Sequence, residues 1–229
     1  MTDNADEENI AHRSQRRFRL GSGARQIVLV RHGASIGPTV DTIELGSLTI
    51  SDPVLSDDGQ VQARALAEAI RHEAIDHLFV TPLRRTQQTI APLVEAIGME
   101  PRVVEDLREV HLGDWEQEFY KHAAARHPLI DRMHAEETWD VIPGAEPMAE
   151  FSQRVRRGIA RIVSMTEPGE TSLAVSHGAT IAEICRQATG SRGFAFIAPE
   201  NSSVSRLIVQ ADGSWKLRSF NDVSHLRHV

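Results

Sequence analysis

Two histidines in this chain are each delivered by an apolar run that ends in a glycine step. Ile27-Val28-Leu29-Val30 leads into Arg31-His32-Gly33, and Leu173-Ala174-Val175 leads into Ser176-His177-Gly178. A β-strand that ends in a polar side chain and a glycine presents that side chain at the C-terminal edge of a sheet, where α/β proteins place their ligands. The two histidines can share one site only if both strands belong to one parallel sheet. Paired imidazoles with an arginine beside one of them point to chemistry on an anion, and phosphate is the first candidate.

A phosphoryl-transfer site without metal needs a nucleophile, cations against the phosphoryl oxygens and an acid for the leaving oxygen. His32 can attack phosphorus if its ring is neutral and one nitrogen is held by a hydrogen bond. Arg31 and a second arginine can clamp the oxygens in bidentate fashion, with His177 as a further donor. Gly33 and Gly178 allow close backbone approach, and a helix starting near Gly178 offers free N–H groups to an anion. Two more segments fall at the same edge. Thr81-Pro82-Leu83-Arg84-Arg85-Thr86-Gln87-Gln88-Thr89 closes one strand and opens a helix, and Leu107–Glu116 follows another strand with several carboxylates.

The elements that must position these residues alternate along the chain. After the first strand, residues 34–55 hold Gly37, Pro38, Gly46 and Pro53 and read as loop near the active edge. Ser56 suits an N-cap for a helix over 57–73, with Val61, Ala65, Leu66, Ala69 and Ile70 at helical spacing. His77–Val80 reads as a strand. Residues 84–97 read as a helix containing Pro92 and stopping at Gly98. Residues 102–104 are strand-like, 114–148 is mostly helical with a Pro-Gly break at 143–147, and 148–165 is an amphipathic helix. The second His-Gly strand leads into a helix ending near Thr189. Two strands, 204–209 and 215–220, flank an Asp212-Gly213 turn and make a hairpin signal. This alternation implies an α/β fold with a mostly parallel central sheet.

The chain has 229 residues, 41% of them apolar, which suffices for one large core. Its formal charge of −7 argues against a nucleic-acid protein held by phosphate contacts. The single cysteine, Cys185, excludes an internal disulfide, fits a reducing compartment and reads as a buried structural thiol. No CxxC or HExxH pattern marks a metal site, and no apolar run approaches the about 18 residues that span a bilayer. Residues 1–25, charged and poor in apolar side chains, read as a disordered leader, and 26–229 as one domain. The expected location is cytoplasmic.

The four segments, in this order, resemble the histidine phosphatase superfamily, in its phosphoglycerate-mutase-like branch. Its Arg-His-Gly is matched by Arg31-His32-Gly33, and its Ser-Pro-Leu-x-Arg-Ala-x-Gln-Thr by residues 81–89. Its Glu-x-x-x-Gly-x-Trp-Glu is matched from Glu109, and its late Ser-His-Gly by Ser176-His177-Gly178. The resemblance implies a three-layer α/β/α sandwich with the site at the C-terminal edge of the strands. It implies His32 as the phosphorylated nucleophile, with Arg31, Arg85 (rather than Arg84) and His177 on the phosphoryl group. Glu109 is the implied acid, later activating water. No metal or cofactor is implied, and the expected partner is a small-molecule phosphate ester, with no nucleic acid and no membrane; self-association into a homo-oligomer stays open.

Three departures stand out. Pro38 replaces the family asparagine, although Ser35 can still offer a hydroxyl to phosphate; Gln117 follows Trp-Glu where glycine is common; and the long basic mutase signature after Arg-His-Gly is absent. The expected function is a metal-independent phosphomonoesterase. The alternatives are a phosphomutase of the same superfamily and a catalytically idle phosphate-binding or regulatory protein. Specificity is expected from residues 34–55 and 116–147. His111 stands close enough to Glu109 to reach a pocket, while Trp115 and Trp139 read as packing residues. The remaining histidines, His134 among them, read as structural or solvent-facing.

Overall fold

The computed structural model describes residues 18–37, 41–196, 199–227 and 229. Its centre is a six-stranded sheet in the order β5-β4-β6-β1-β7-β8. The strands are β1 (Arg25–Arg31), β4 (His77–Val80), β5 (Arg102–Val103), β6 (Thr171–Ser176), β7 (Val204–Val209) and β8 (Trp215–Asp222). β5, β4, β6 and β1 run parallel, and β7 pairs antiparallel with both β1 and β8. The sheet is thus mostly parallel, as the alternation of elements predicts.

The continuous apolar run of β1 is explained by burial on both faces. Val28 and Val30 join Leu78, Val80, Leu173 and Val175 under helices α1 (Asp57–Ile70) and α2 (Arg84–Ile97). Ile27 and Leu29 face the other way, with Phe79 and Ala174, against α5 (Met148–Ser164) and α6 (Gly178–Thr189). Two cores on opposite sides of one sheet make the three-layer sandwich. Cys185 is fully buried in the second core, where desolvation pushes its thiol up to about 12 and leaves it inert.

Several boundaries depart from the sequence reading. Residues 34–55 are not all loop: β2 (Thr42–Leu45) and β3 (Leu48–Ser51) form a separate antiparallel hairpin. Gly46, at φ +63, is what makes its turn, and the alternation on either side was hidden by the surrounding glycines and prolines. Helix α1 ends at Ile70, three residues early, and α2 runs through Pro92 to Gly98, a left-handed C-cap. The 114–148 region breaks into a 3-10 turn (Gly113–Trp115), α3 (Phe119–Ala124) and α4 (Pro128–Glu136) around a small core of Trp115, Met133 and Ile142.

Ala24 is fully buried and Arg25 opens β1, so the fold takes in the last two residues assigned to the leader. Residues 1–17 of that leader and Pro38 lie outside the described residues. Among the described residues no helix is long and apolar enough to cross a membrane.

Candidate active site

The register of two strands sets the site. Arg31, the last residue of β1, lies opposite Ser176, the last of β6, and the His32 amide donates to the Ser176 carbonyl at 3.0 Å. Both histidines therefore emerge side by side at the C-terminal edge, with ring centroids 5.2 Å apart and planes tilted by 60°. His32 is 7% exposed and borders a cavity, whereas His177 is fully buried behind it.

The hydrogen bonds of the two rings differ. His32 Nδ1 lies 2.7 Å from the Gly33 carbonyl, which can only accept, so Nδ1 carries the proton and Nε2 keeps its lone pair. His177 Nε2 lies 2.9 Å from the Thr81 hydroxyl, while its Nδ1 is buried without a partner. Burial pushes both imidazoles well below the ordinary histidine range, and the Arg85 guanidinium pushes in the same direction. Both rings are consequently neutral near pH 7.

Arg31 donates through Nη1 to the Pro199 carbonyl at 2.6 Å, and its buried Nε has no partner. Arg85, 7% exposed in the first turn of α2, donates through Nη1 to the Ser51 carbonyl of the hairpin at 3.0 Å. Both line the cavity beside His32. Arg84 turns the other way and binds Asp52 and Asp41. Asp52 also accepts from the Arg84 amide and supplies the α2 N-terminus with the cap that Leu83 cannot give. The structure thus separates the two adjacent arginines: Arg85 lines the cavity and Arg84 does not.

The glycine and helix-terminus arguments need correction. A Cβ on Gly33 would stand 2.8 Å from the Gly59 carbonyl oxygen, and one on Gly59 would stand 1.9 Å from the Ala34 oxygen. The close approach at Gly33 is therefore made by the first turn of α1, not by a ligand. Two of the free N–H groups of α6 are also taken. Glu109 places its carboxylate there, accepting from the Ala179 and Thr180 amides at 3.1 Å each, from its neighbour Val110 and from the Thr180 hydroxyl.

Of the carboxylates near this segment, Glu109 and Glu116 line the cavity. Glu116 accepts from the Ser51 and Leu112 amides, and burial raises its pKa. His111 does not reach the cavity; its ring bridges the Thr49 carbonyl and the Gly113 amide. Ser35 and Gln117 line the cavity, and so does His134, which contacts Phe194. Trp115 is core, but Trp139 lines the cavity as well as packing.

Three functional contributors escaped the sequence reading. Asn201 borders the cavity and donates to the His32 carbonyl at 2.9 Å, and the Thr89 hydroxyl joins the Gly33 amide to the Arg85 carbonyl. Arg154 lies under Glu109, holding the carbonyls of Asp106, Arg108 and Glu109 and both oxygens of Glu146. A signal for Arg154 existed: it falls between Phe151 and Val155 on the buried face of α5, where an unpaired charge has no place.

Fold and site together define an α/β protein with a histidine-centred pocket, lined by arginines and glutamates, at the C-terminal edge of a mostly parallel sheet. The family model of the histidine phosphatase superfamily (branch 1) matches residues 27–223, and the chain belongs to that family. It is similar to "Probable phosphoglycerate mutase GpmB" of Serratia proteamaculans, 30% identical over 210 residues that cover 88% of this chain and 94% of that protein. It is also similar to "Phosphoglycerate mutase-like protein 4" of Arabidopsis thaliana, at 31% identity over 89% of this chain and 88% of that one. Among solved structures, a mycobacterial glucosyl-3-phosphoglycerate phosphatase superposes with a TM-score of 0.71 at 27% identity, covering 86% of this chain and 99% of its own.

Proposed function

We propose that this protein is a metal-independent phosphomonoesterase that works through a phosphohistidine on His32. The observation that carries the reading is the His32 ring itself: neutral, held at Nδ1 by the Gly33 carbonyl, and set between two cavity-lining guanidiniums. Nε2 attacks phosphorus, a nitrogen–phosphorus bond forms, and the ester oxygen leaves with a proton from Glu109. Water then attacks the phosphohistidine, giving its proton to Glu109 and returning His32 to its neutral form. Arg31 and Arg85 face the phosphoryl oxygens as bidentate donors, and the unpartnered Nδ1 of His177 supplies a third contact. Ser35 at the cavity wall adds a hydroxyl.

The relatives whose names include a mutase make transfer to a second hydroxyl the competing outcome. Incubation with a labelled phosphate ester, acid-sensitive trapping of the enzyme and phosphorus NMR of the products test both at once. Wild type forms an acid-labile phosphoenzyme and releases free phosphate with EDTA present, and His32→Ala does neither. Isomerised ester without free phosphate means a mutase; turnover undiminished in His32→Ala removes the mechanism.

A further inference from the structure

We propose that the alcohol half of the substrate is bulky, apolar and ring-bearing, so that the enzyme takes an aryl-alkyl phosphate rather than a phosphorylated polyol or a phosphorylated carboxylic acid. The inference rests on the phosphatase reading above and names what fills the rest of that site. The cavity measures about 680 Å³. A phosphoryl group held by Arg31, His32 and Arg85 occupies one end of it, and the leaving group must lie in the remainder.

That remainder is walled by Phe119, Tyr120, Ile130, Trp139, Phe194 and Phe196. The rings form a continuous surface: Phe119 lies 5.7 Å from Tyr120 and 6.3 Å from Trp139, and Trp139 lies 4.8 Å from Phe194, centroid to centroid. All but Tyr120 are only half-buried, so they keep apolar surface for a guest. Flat rings at these spacings accept a further ring in offset or edge-on contact.

The carboxylates and the third arginine of the same cavity are already bound. Arg186, the remaining guanidinium of its described lining, is clamped on both oxygens of Glu183 at 2.7 and 2.8 Å. Glu116 is bound to the Ser51 and Leu112 amides, and Asn201 donates to the His32 carbonyl. A substrate carboxylate or second phosphate would meet Glu109, Glu116 and Glu183 without a free cation to pair with. A polyol would set most of its hydroxyls against rings, with Gln117, His134 and the Tyr120 hydroxyl as the polar groups to meet them, and so lose more water hydrogen bonds than an apolar ring would.

The test compares esters of primary alcohols, so that the leaving oxygens are chemically alike: naphthylmethyl phosphate, glycerol 1-phosphate and 3-phosphoglycerate. The naphthylmethyl ester is expected to show kcat/KM at least about tenfold above the other two, as burial of several apolar carbons requires. Phe194→Ala and the surface-tolerated Tyr120→Ala should each lower that ratio. Equal or better turnover of either polar ester, or a ratio unmoved by both variants, overturns the proposal. Calorimetry with non-hydrolysable naphthylmethyl phosphonate and glycerol-type phosphonate separates this from failure of the catalytic reading. Preferential binding of the naphthyl compound without turnover of any ester upholds the ligand class and removes the phosphatase, whereas equal binding removes the ligand class.

Discussion

His32 and His177 stand 5.2 Å apart, centroid to centroid, because β1 and β6 are paired in parallel with Arg31 opposite Ser176. Among the described residues neither ring has a carboxylate partner; Arg31 and Arg85 act on both rings, and Arg154 on His177 as well. Protonating one would place a third cation beside Arg31 and Arg85. The same crowding that keeps His32 neutral makes the site intolerant of acid.

That intolerance should appear in stability. Between the unfolded histidine value of 6.5 and the lowered folded values, the unfolded chain binds more protons than the folded one. Unfolding free energy is therefore level above pH 6.5 and falls as pH drops below it, by up to about 1.4 kcal/mol per pH unit for each ring. Urea titrations at pH 7.5, 6.5 and 5.5 measure the slope, and His177→Asn should lose one ring's share. His225, also lowered by burial, keeps its own share, so a slope that replacement of His32 and His177 leaves undiminished would sink the assignment.

Thr81 is predicted to set the His177 tautomer. The Thr81 hydroxyl lies 2.9 Å from His177 Nε2 and 3.0 Å from Thr86 Oγ1, and the ring form proposed to meet the phosphoryl oxygen requires that Thr81 donate to Nε2. The ring proton then sits on Nδ1, the nitrogen proposed to meet the phosphoryl oxygen. Thr81→Val keeps the shape but removes the donor, and kcat should fall about 5- to 100-fold, the usual cost of one buried polar group left unpaired. Nitrogen NMR should report the Nδ1–H form of His177 in wild type and Thr81→Ser and a mixed or reversed ring in Thr81→Val. An unchanged tautomer in Thr81→Val refutes the role.

What could be read beforehand was whatever leaves a local mark. Strand runs ending at His32 and His177, the Ser56 cap and the Gly98 stop are short-range features, and each reappears in the fold. The partners of Glu109 could not be read, because Ala179 and Thr180 lie 70 and 71 residues along the chain and offer only backbone N–H groups. The hairpin of β2 and β3 was masked for a different reason. Its strands are short and largely outside the core, so their pattern competes poorly with the glycines and prolines nearby.

Arg85→Lys should be far from conservative. The guanidinium donates to the Ser51 carbonyl through Nη1 and still presents other N–H groups to the cavity, a fork that one ammonium cannot copy. Loss of a charge-assisted contact to the transferring phosphoryl group costs about 100- to 1,000-fold in rate. Vanadate inhibition should weaken in parallel with kcat/KM. Wild-type inhibition and turnover in Arg85→Lys would show that this arginine does not touch the phosphoryl group.

Arg154 is the buried support of the segment that carries Glu109, the proposed acid. Its guanidinium reaches both oxygens of Glu146 at 2.7 Å and the carbonyls of Asp106, Arg108 and Glu109, so it fixes the backbone that carries the Glu109 side chain to α6. Arg154→Met leaves the Glu146 carboxylate with Arg108 and the His111 amide, each 3.3 Å away, and strips a donor from three carbonyls. Breaking such a buried pair costs about 3–5 kcal/mol. Adding Glu146→Leu removes the uncompensated charge and should restore part of that stability in urea titrations, while kcat stays low because the Glu109 carbonyl is still unheld. Full recovery of both stability and kcat in the double variant would mean that Glu109 keeps its place without Arg154.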